Sequence, residues 1–206
     1  MAIAERERVP PGAVIGEEGA PGQAITTITE GVVALTKRSA GGHVGLVGFR
    51  HAGDVVMPYR QAFTWPVTAR ALGPCRTCRV RFDAVSRLSA YDAEFEHALH
   101  DVAVAQVEDG FRDVLMRGHK GVDRMVAAFV LDFAARSQGG RVSDGPIDIP
   151  LTRCEIADYL GLRTETVSRA FGRLKSLKLL ALPKPKQIVI LDRPALEALA
   201  KGGPAR

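Results

Sequence analysis

Glu165, Ser168 and Arg169 stand at i, i+3 and i+4, a spacing that places all three on one face of an α-helix. A guanidinium can present a two-pronged fork to the O6 and N7 acceptors of a guanine edge. A carboxylate can accept from a cytosine amino group. A small hydroxyl can reach a base or let a thymine methyl come close. These side chains could read base edges if a helix carried them into a groove.

The neighbouring residues predict such a helix. Thr152-Arg-Cys-Glu155 has the spacing of a capping box, with a hydroxyl at the cap and a carboxylate three residues on. It opens a short helix through Ile156, Ala157 and Leu160, and Gly161 permits a tight turn. A second helix follows from about Thr164, with Val167, Phe171 and Leu174 as its buried face. Two short helices about a glycine turn form a helix-turn-helix, whose second helix enters the major groove. Thr152, Arg153, Thr164, Thr166, Arg173 and Lys175 are then candidates for phosphate contacts. Leu179–Leu182 and Ile188–Leu191 read as a β-hairpin. Its Pro183-Lys184-Pro185-Lys186 tip would lay Lys184 and Lys186 over the backbone as a wing.

The charge has the same address. Between Leu151 and Arg193 nine Lys or Arg face four acids, a surplus of five that equals the surplus of the whole chain. A basic segment on a neutral body fits a polyanion partner, here double-stranded DNA; a solvated basic face accounts for the charge equally well.

The rest of the chain must position this element. Residues 12 to 85 read as short β-rich runs, among them Ala24–Thr29, Val32–Thr36, Val44–Phe49 and Arg79–Phe82, with Gly and Pro between them. Such spacing predicts an all-β sandwich or roll. From about Ser89 the period becomes helical. Phe95, Leu99 and Val102 form one stripe, and Val104, Val107, Phe111, Val114 and Leu115 form a neighbouring one. A helix of about 25 residues with so broad an apolar surface needs partners. One stripe would pack on the β-domain, the other on the same helix of a second subunit. A further helix is expected over Asp123–Ala135, then a polar loop with a short strand at Ile147–Ile149. The expected class is α+β, divided as 1–88, 89–118 and 119–206.

Several classes are disfavoured. No run of 18 apolar residues offers a membrane span, and the first eight residues lack a signal core, so a cytoplasmic location without membrane partners is expected. Three cysteines in 206 residues make no disulfide scaffold. No Ser/His/Asp set, phosphate loop, metal-ligand cluster or paired-acid motif suggests an enzyme. A non-transcriptional dimeric module is a weaker reading, because the base-reading triad is intact.

Residues 151–191, with the core LTRCEIADYLGLRTETVSRAFGRLKSLKLL, closely resemble the C-terminal domain of the CRP/FNR family of bacterial regulators. VDRMVAAFVLDFAARS resembles the helix after that family's dimerisation helix. PGAVIGEEG, ITEGVVALTK and FRHAGDVV resemble strands of its cyclic-nucleotide-binding-like β-roll. The resemblance implies a β-roll, a long dimerisation helix and a C-terminal winged helix-turn-helix. The Glu-x-x-Ser-Arg pattern marks the FNR/FixK branch. It implies a homodimer on a TTGA-type inverted repeat, RNA polymerase as a partner, and activation of microaerobic, anaerobic or redox-responsive genes. The branch usually has Ser or Thr just before the reading helix. Arg163 stands there, so Thr164 is the alternative cap.

The sensor motifs of the family are not found. The family's cyclic-nucleotide members carry a Gly-Glu and an Arg-Ser/Thr pair; the matching stretch from Gly53 to Pro66 has neither, so no cyclic AMP binding is expected. The four cysteines of an FNR iron–sulfur cluster are not present, since residues 1 to 74 contain none. No cofactor is therefore expected, as is common among FixK-like members. An effector-gated chain, controlled by haem, metal or a disulfide, is the alternative. Cys75 and Cys78 read first as ordinary small residues near a strand start. The alternatives are a redox pair, with Arg76 and Arg79 lowering a thiol pKa, half a zinc site across a dimer, or haem held by Cys78, His43 or His51. Those histidines read otherwise as polar surface residues of hairpins. Cys154 sits in the first turn of a helix beside Arg153, where a thiolate is favoured. Its oxidation would set negative charge against a DNA phosphate.

Overall fold

The computed structural model describes residues 4–58, 63–118, 121–137 and 145–203. The chain divides into two compact units, Met1–Phe111 and Arg112–Arg206.

The first unit contains two four-stranded antiparallel sheets. One has the order β1 (Ala4–Val9), β8 (Cys75–Arg81), β3 (Ala24–Glu30), β6 (Val55–Val56). The other has the order β2 (Val14–Gly16), β7 (Thr68–Ala71), β4 (Val33–Arg38), β5 (Val44–Arg50). The period of two decides which residues go inside. In β3, Thr26 and Ile28 are buried and Thr27 is not. Val9, Ile28, Val33, Val56, Ala69, Ala71 and Cys75 form a core around Trp65. Gly16 and Gly22 make room for that indole, because a Cβ at either would overlap it. The run expected at Arg79–Phe82 is a longer strand beginning at Cys75, and β1 was not foreseen. β1 is exposed at five of its six positions and charged at four of them, so it carries no hydrophobic alternation to read.

The helical segment begins earlier than Ser89. α1 (Phe82–Tyr91) starts directly after β8 and buries Phe82, Ala84 and Val85. Asp92 both closes α1 and opens α2 (Ala93–Arg117), its carboxylate accepting from Phe95 N at 3.0 Å. That one residue divides what reads as a single helical stretch. On α2, Val104, Val107, Phe111, Val114 and Leu115 are exposed, Phe111 to 66%.

In the second unit, α3 (Val122–Ser137) is followed by β9 (Ile147–Asp148), α4 (Arg153–Leu160), α5 (Thr164–Ser176), β10 (Leu180–Lys184), β11 (Gln187–Ile190) and α6 (Arg193–Lys201). Phe129, Phe133, Ile156, Tyr159, Leu160, Val167, Phe171 and Leu174 are fully enclosed. A helix as short as α4 does not persist alone in water. Its cap contributes about 1 kcal/mol. Each large apolar side chain taken from water contributes about 1.5–3 kcal/mol. Packing therefore holds α4, and the cap sets where it starts.

α6 was not expected, although its signals are in the sequence. Asp192 caps it by accepting from Ala195 N, Pro194 sits in its first turn, and Gly202 ends it at φ +96°. Leu196 and Leu199 bury its inner face, and it packs on α3. Among the described residues, no helix is long and apolar enough to cross a membrane.

Candidate nucleic-acid interface

α4 starts at the capping box. Thr152 Oγ1 accepts from Glu155 N at 3.2 Å, and Thr152 N donates to Glu155 Oε2 at 2.6 Å. The hydroxyl also donates to that carboxylate at 2.8 Å, so the box itself occupies the side chain proposed for phosphate. Gly161 closes α4 in the left-handed region, at φ +67°. This is the sharp turn of a helix-turn-helix, and a side chain there would be strained.

α5 begins at Thr164, as the sequence reading placed it, but Thr164 does not cap it. The cap position is Arg163, and no side chain bonds back there. The helix starts regardless because Val167, Ala170, Phe171 and Leu174 bury its inner face. Glu165, Ser168 and Arg169 lie together on the opposite, exposed face. They form one strip one helical turn long, in the first two turns of α5.

The surrounding cations differ in how free they are. The Arg153 guanidinium lies 3.5 Å from the centre of the Phe171 ring, and burial lowers its pKa from the ordinary range. Arg173 is held in a fork by Asp123 of α3, with Nε at 2.9 and 3.1 Å from the two carboxylate oxygens and Nη2 at 2.5 Å. That carboxylate raises the Arg173 pKa. Both residues are thus committed inside the unit, a role their sequence positions do not reveal. Thr166 and Thr164 are half-buried, and Lys175 is exposed at the far end of α5.

The wing is a three-stranded sheet, ordered β10, β11, β9. β9 precedes the helix-turn-helix and pairs with β11, which follows it. Ile149 N donates to Lys186 O at 2.8 Å, and Lys186 Nζ donates to Pro150 O at 3.1 Å. Lys184 is exposed at the turn.

The cysteines separate into three environments. All three are free thiols. Cys75 and Cys78 are three apart on one strand, so they face opposite sides of the sheet. Cys75 lies in the β-roll core, and burial raises its pKa; the neighbouring arginines do not lower it. Cys78 faces outward, opposite Arg6 and Thr27 of the adjoining strands. This geometry overturns the reading of Cys75 and Cys78 as a disulfide pair or two ligands of one metal. Cys154 is exposed in the first turn of α4. His43 is exposed in the β4–β5 turn, but His51 is buried, its ring set edge-on to Phe49 at 5.4 Å. The surface reading of His51 is corrected accordingly. Among the described residues, no group of three or more His, Cys, Asp or Glu is placed to hold a metal. A cavity of about 260 Å³ in the first unit is lined by Leu35, Arg50, Val56, Met57, Trp65 and Gln106 with their neighbours. Gln106 spends its amide on Val55 O at 2.7 Å.

Known proteins agree with this arrangement. Residues 6–92 match the model of the cyclic nucleotide-binding domain, and residues 125–199 match the Crp-like helix-turn-helix domain. The chain is 28% identical over 192 residues to the transcriptional activator protein FnrA of Stutzerimonas stutzeri, covering 93% of this chain and 78% of that one. It is 29% identical over 182 residues to the nitrogen fixation regulation protein FixK of Azorhizobium caulinodans, covering 85% and 71%. The fold superposes on FixK2 from Bradyrhizobium japonicum with a TM-score of 0.83 at 24% identity, over 96% of this chain and 98% of that one. With a β-roll, a long helix and a winged helix-turn-helix in that order, the chain belongs to the CRP/FNR family, on its FNR/FixK side.

Proposed function

We propose that this protein is a transcription activator that binds a TTGA-type inverted repeat as a homodimer. The observation that carries the reading is the exposed strip of Glu165, Ser168 and Arg169 on α5, backed by a fully buried opposite face. Arg169 takes guanine, Glu165 takes cytosine, and Ser168 lies between them. Arg163, Thr164, Thr166, Lys175, Lys184 and Lys186 serve the phosphates that position the helix. Arg153 and Arg173 support the scaffold first.

Dimerisation uses α2. Val104, Val107, Phe111 and Val114 recur at three and four residues and are exposed, which is the pattern of a helix–helix seam. A palindromic target follows from the two-fold axis of such a dimer. RNA polymerase in the cytoplasm is the onward partner and redox-responsive genes are the targets, in keeping with relatives named as transcriptional activators and as a nitrogen fixation regulator.

No cyclic nucleotide controls it on this reading. Among the described residues the cavity beside Trp65 is lined mainly by apolar side chains, and Arg50 and Gln106 each donate to a backbone carbonyl. Among the described residues that lining offers few polar side chains, whereas a cyclic phosphate takes several donors. The test is fluorescence anisotropy on a labelled TTGA palindrome without added effector. Binding at nanomolar protein that is lost when both half-sites are scrambled is the expected result. Equal affinity for both duplexes overturns the reading.

A further inference from the structure

The C-terminal part of α2 has one buried side and one exposed side. At 100° per residue, Asp109, Asp113 and Met116 lie about half a turn round the helix from the Val104, Val107, Phe111, Val114 stripe. Asp113 and Met116 are buried at 8% and 4% exposure, while the stripe is exposed. The side chain that meets Asp113 comes from the helix-turn-helix. Tyr159 of α4 is completely enclosed, and its hydroxyl donates to Asp113 Oδ1 at 2.6 Å. Its ring packs on Phe129 of α3 with centroids 5.9 Å apart, and the Arg117 guanidinium lies 5.7 Å from the ring centre. Arg112, one residue before Asp113, faces Asp132 of α3 at 3.8 Å. Burial and the Asp113 charge push the tyrosine hydroxyl far above its ordinary pKa, so it remains a donor.

We infer that the Tyr159–Asp113 hydrogen bond is a latch that fixes the reading head on the dimerisation helix and thereby sets the spacing between half-sites that the dimer accepts. This rests on the dimeric reading above. The chemistry suits the task. A hydrogen bond to a charged, buried carboxylate is directional and short, and neither group has water to turn to when the bond breaks. Apolar packing alone tolerates sliding and rotation; one directional bond at the end of a long helix does not. α4 in turn carries α5 through the left-handed turn at Gly161, so an error at Tyr159 is passed to Glu165, Ser168 and Arg169 without altering those residues. Tyr159 and Asp113 are positioning residues, since neither lies on the exposed strip.

The experiment compares TTGA palindromes whose central spacer is varied one base pair at a time, using the full chain. The unaltered protein is expected to favour one spacer over its neighbours by roughly tenfold, the scale of one good contact. Tyr159→Phe removes only the hydroxyl oxygen. It is expected to bring the ratio toward parity while leaving TTGA-over-TTAA discrimination and the salt slope unchanged. Asp113→Asn keeps an acceptor oxygen and is expected to retain the spacer preference; Asp113→Leu is expected to lose it. Thermal melts run alongside separate this from a general loss of stability. If Tyr159→Phe lowers the melting temperature but keeps the spacer ratio, the bond is merely structural and the latch is refuted. If the unaltered protein binds one half-site as tightly as the palindrome, the dimeric reading fails and the latch fails with it.

Discussion

Arg153 lies with its guanidinium 3.5 Å from the centre of the Phe171 ring, joining the first turn of α4 to the middle of α5. A cation over an aromatic face contributes about 0.5–2 kcal/mol, more as water is excluded. Arg153 is partly buried, so the middle of that range applies. Arg153→Ala is expected to lower the melting temperature by several degrees, given that about 1 kcal/mol moves a domain of this size by roughly 4–8 °C. Arg153→Met keeps most of the stem and isolates the charge. An unchanged melt for Arg153→Ala would show that the stack contributes nothing.

Arg169→Ala should cost about 1–3 kcal/mol per half-site on TTGA and much less on TTAA, because the fork needs guanine. Competitive anisotropy on the two duplexes gives the difference directly. Equal losses on both would remove Arg169 from base reading.

Lys184→Ala should weaken every duplex to a similar degree. It should also flatten the dependence of log affinity on log salt by about one unit per subunit. Lys186→Ala carries a second effect, since its ammonium also holds Pro150 O. A loss confined to one sequence would place Lys184 on a base.

Phe111→Asp puts a charge into the exposed seam of α2, where Phe111 is 66% exposed in the single chain. Sedimentation is expected to show a monomer, and palindrome affinity should fall to that of one half-site. A dimer that survives this change would move the interface elsewhere.

Cys154 is exposed in the first turn of α4. Peroxide carries such a thiol through sulfenic acid to sulfinate, each step releasing water, and the added charge would oppose a phosphate. Treated protein is expected to lose affinity that Cys154→Ala retains. Equal binding before and after treatment of the native chain ends this idea.

The helix-turn-helix was legible because three independent signals agree there: a capping box at Thr152 before α4, a glycine at the turn, and apolar residues at helical spacing in α5. Where the sequence misled, one local signal was asked to decide alone. The redox pair kept as an alternative for Cys75 and Cys78 fails because β8 turns them to opposite faces. His51 looks like a hairpin surface residue until the roll closes over it. Arg173, a phosphate candidate in the sequence, also pairs with Asp123 of α3, which the sequence does not report. Each reversal depends on a residue distant in sequence, which local periodicity does not report. α6 is different, for its cap, proline and closing glycine were all readable.

β9 lies before the helix-turn-helix and pairs with β11 behind it. The chain therefore enters and leaves the reading head side by side, and the segment between is closed on itself like a clasp. Torque applied to the wing by a phosphate is returned to the start of α4 through Ile149 and Pro150, not dissipated in a free hairpin. The backbone grip and the base-reading strip should then load and release together, as one step in the kinetics of dissociation.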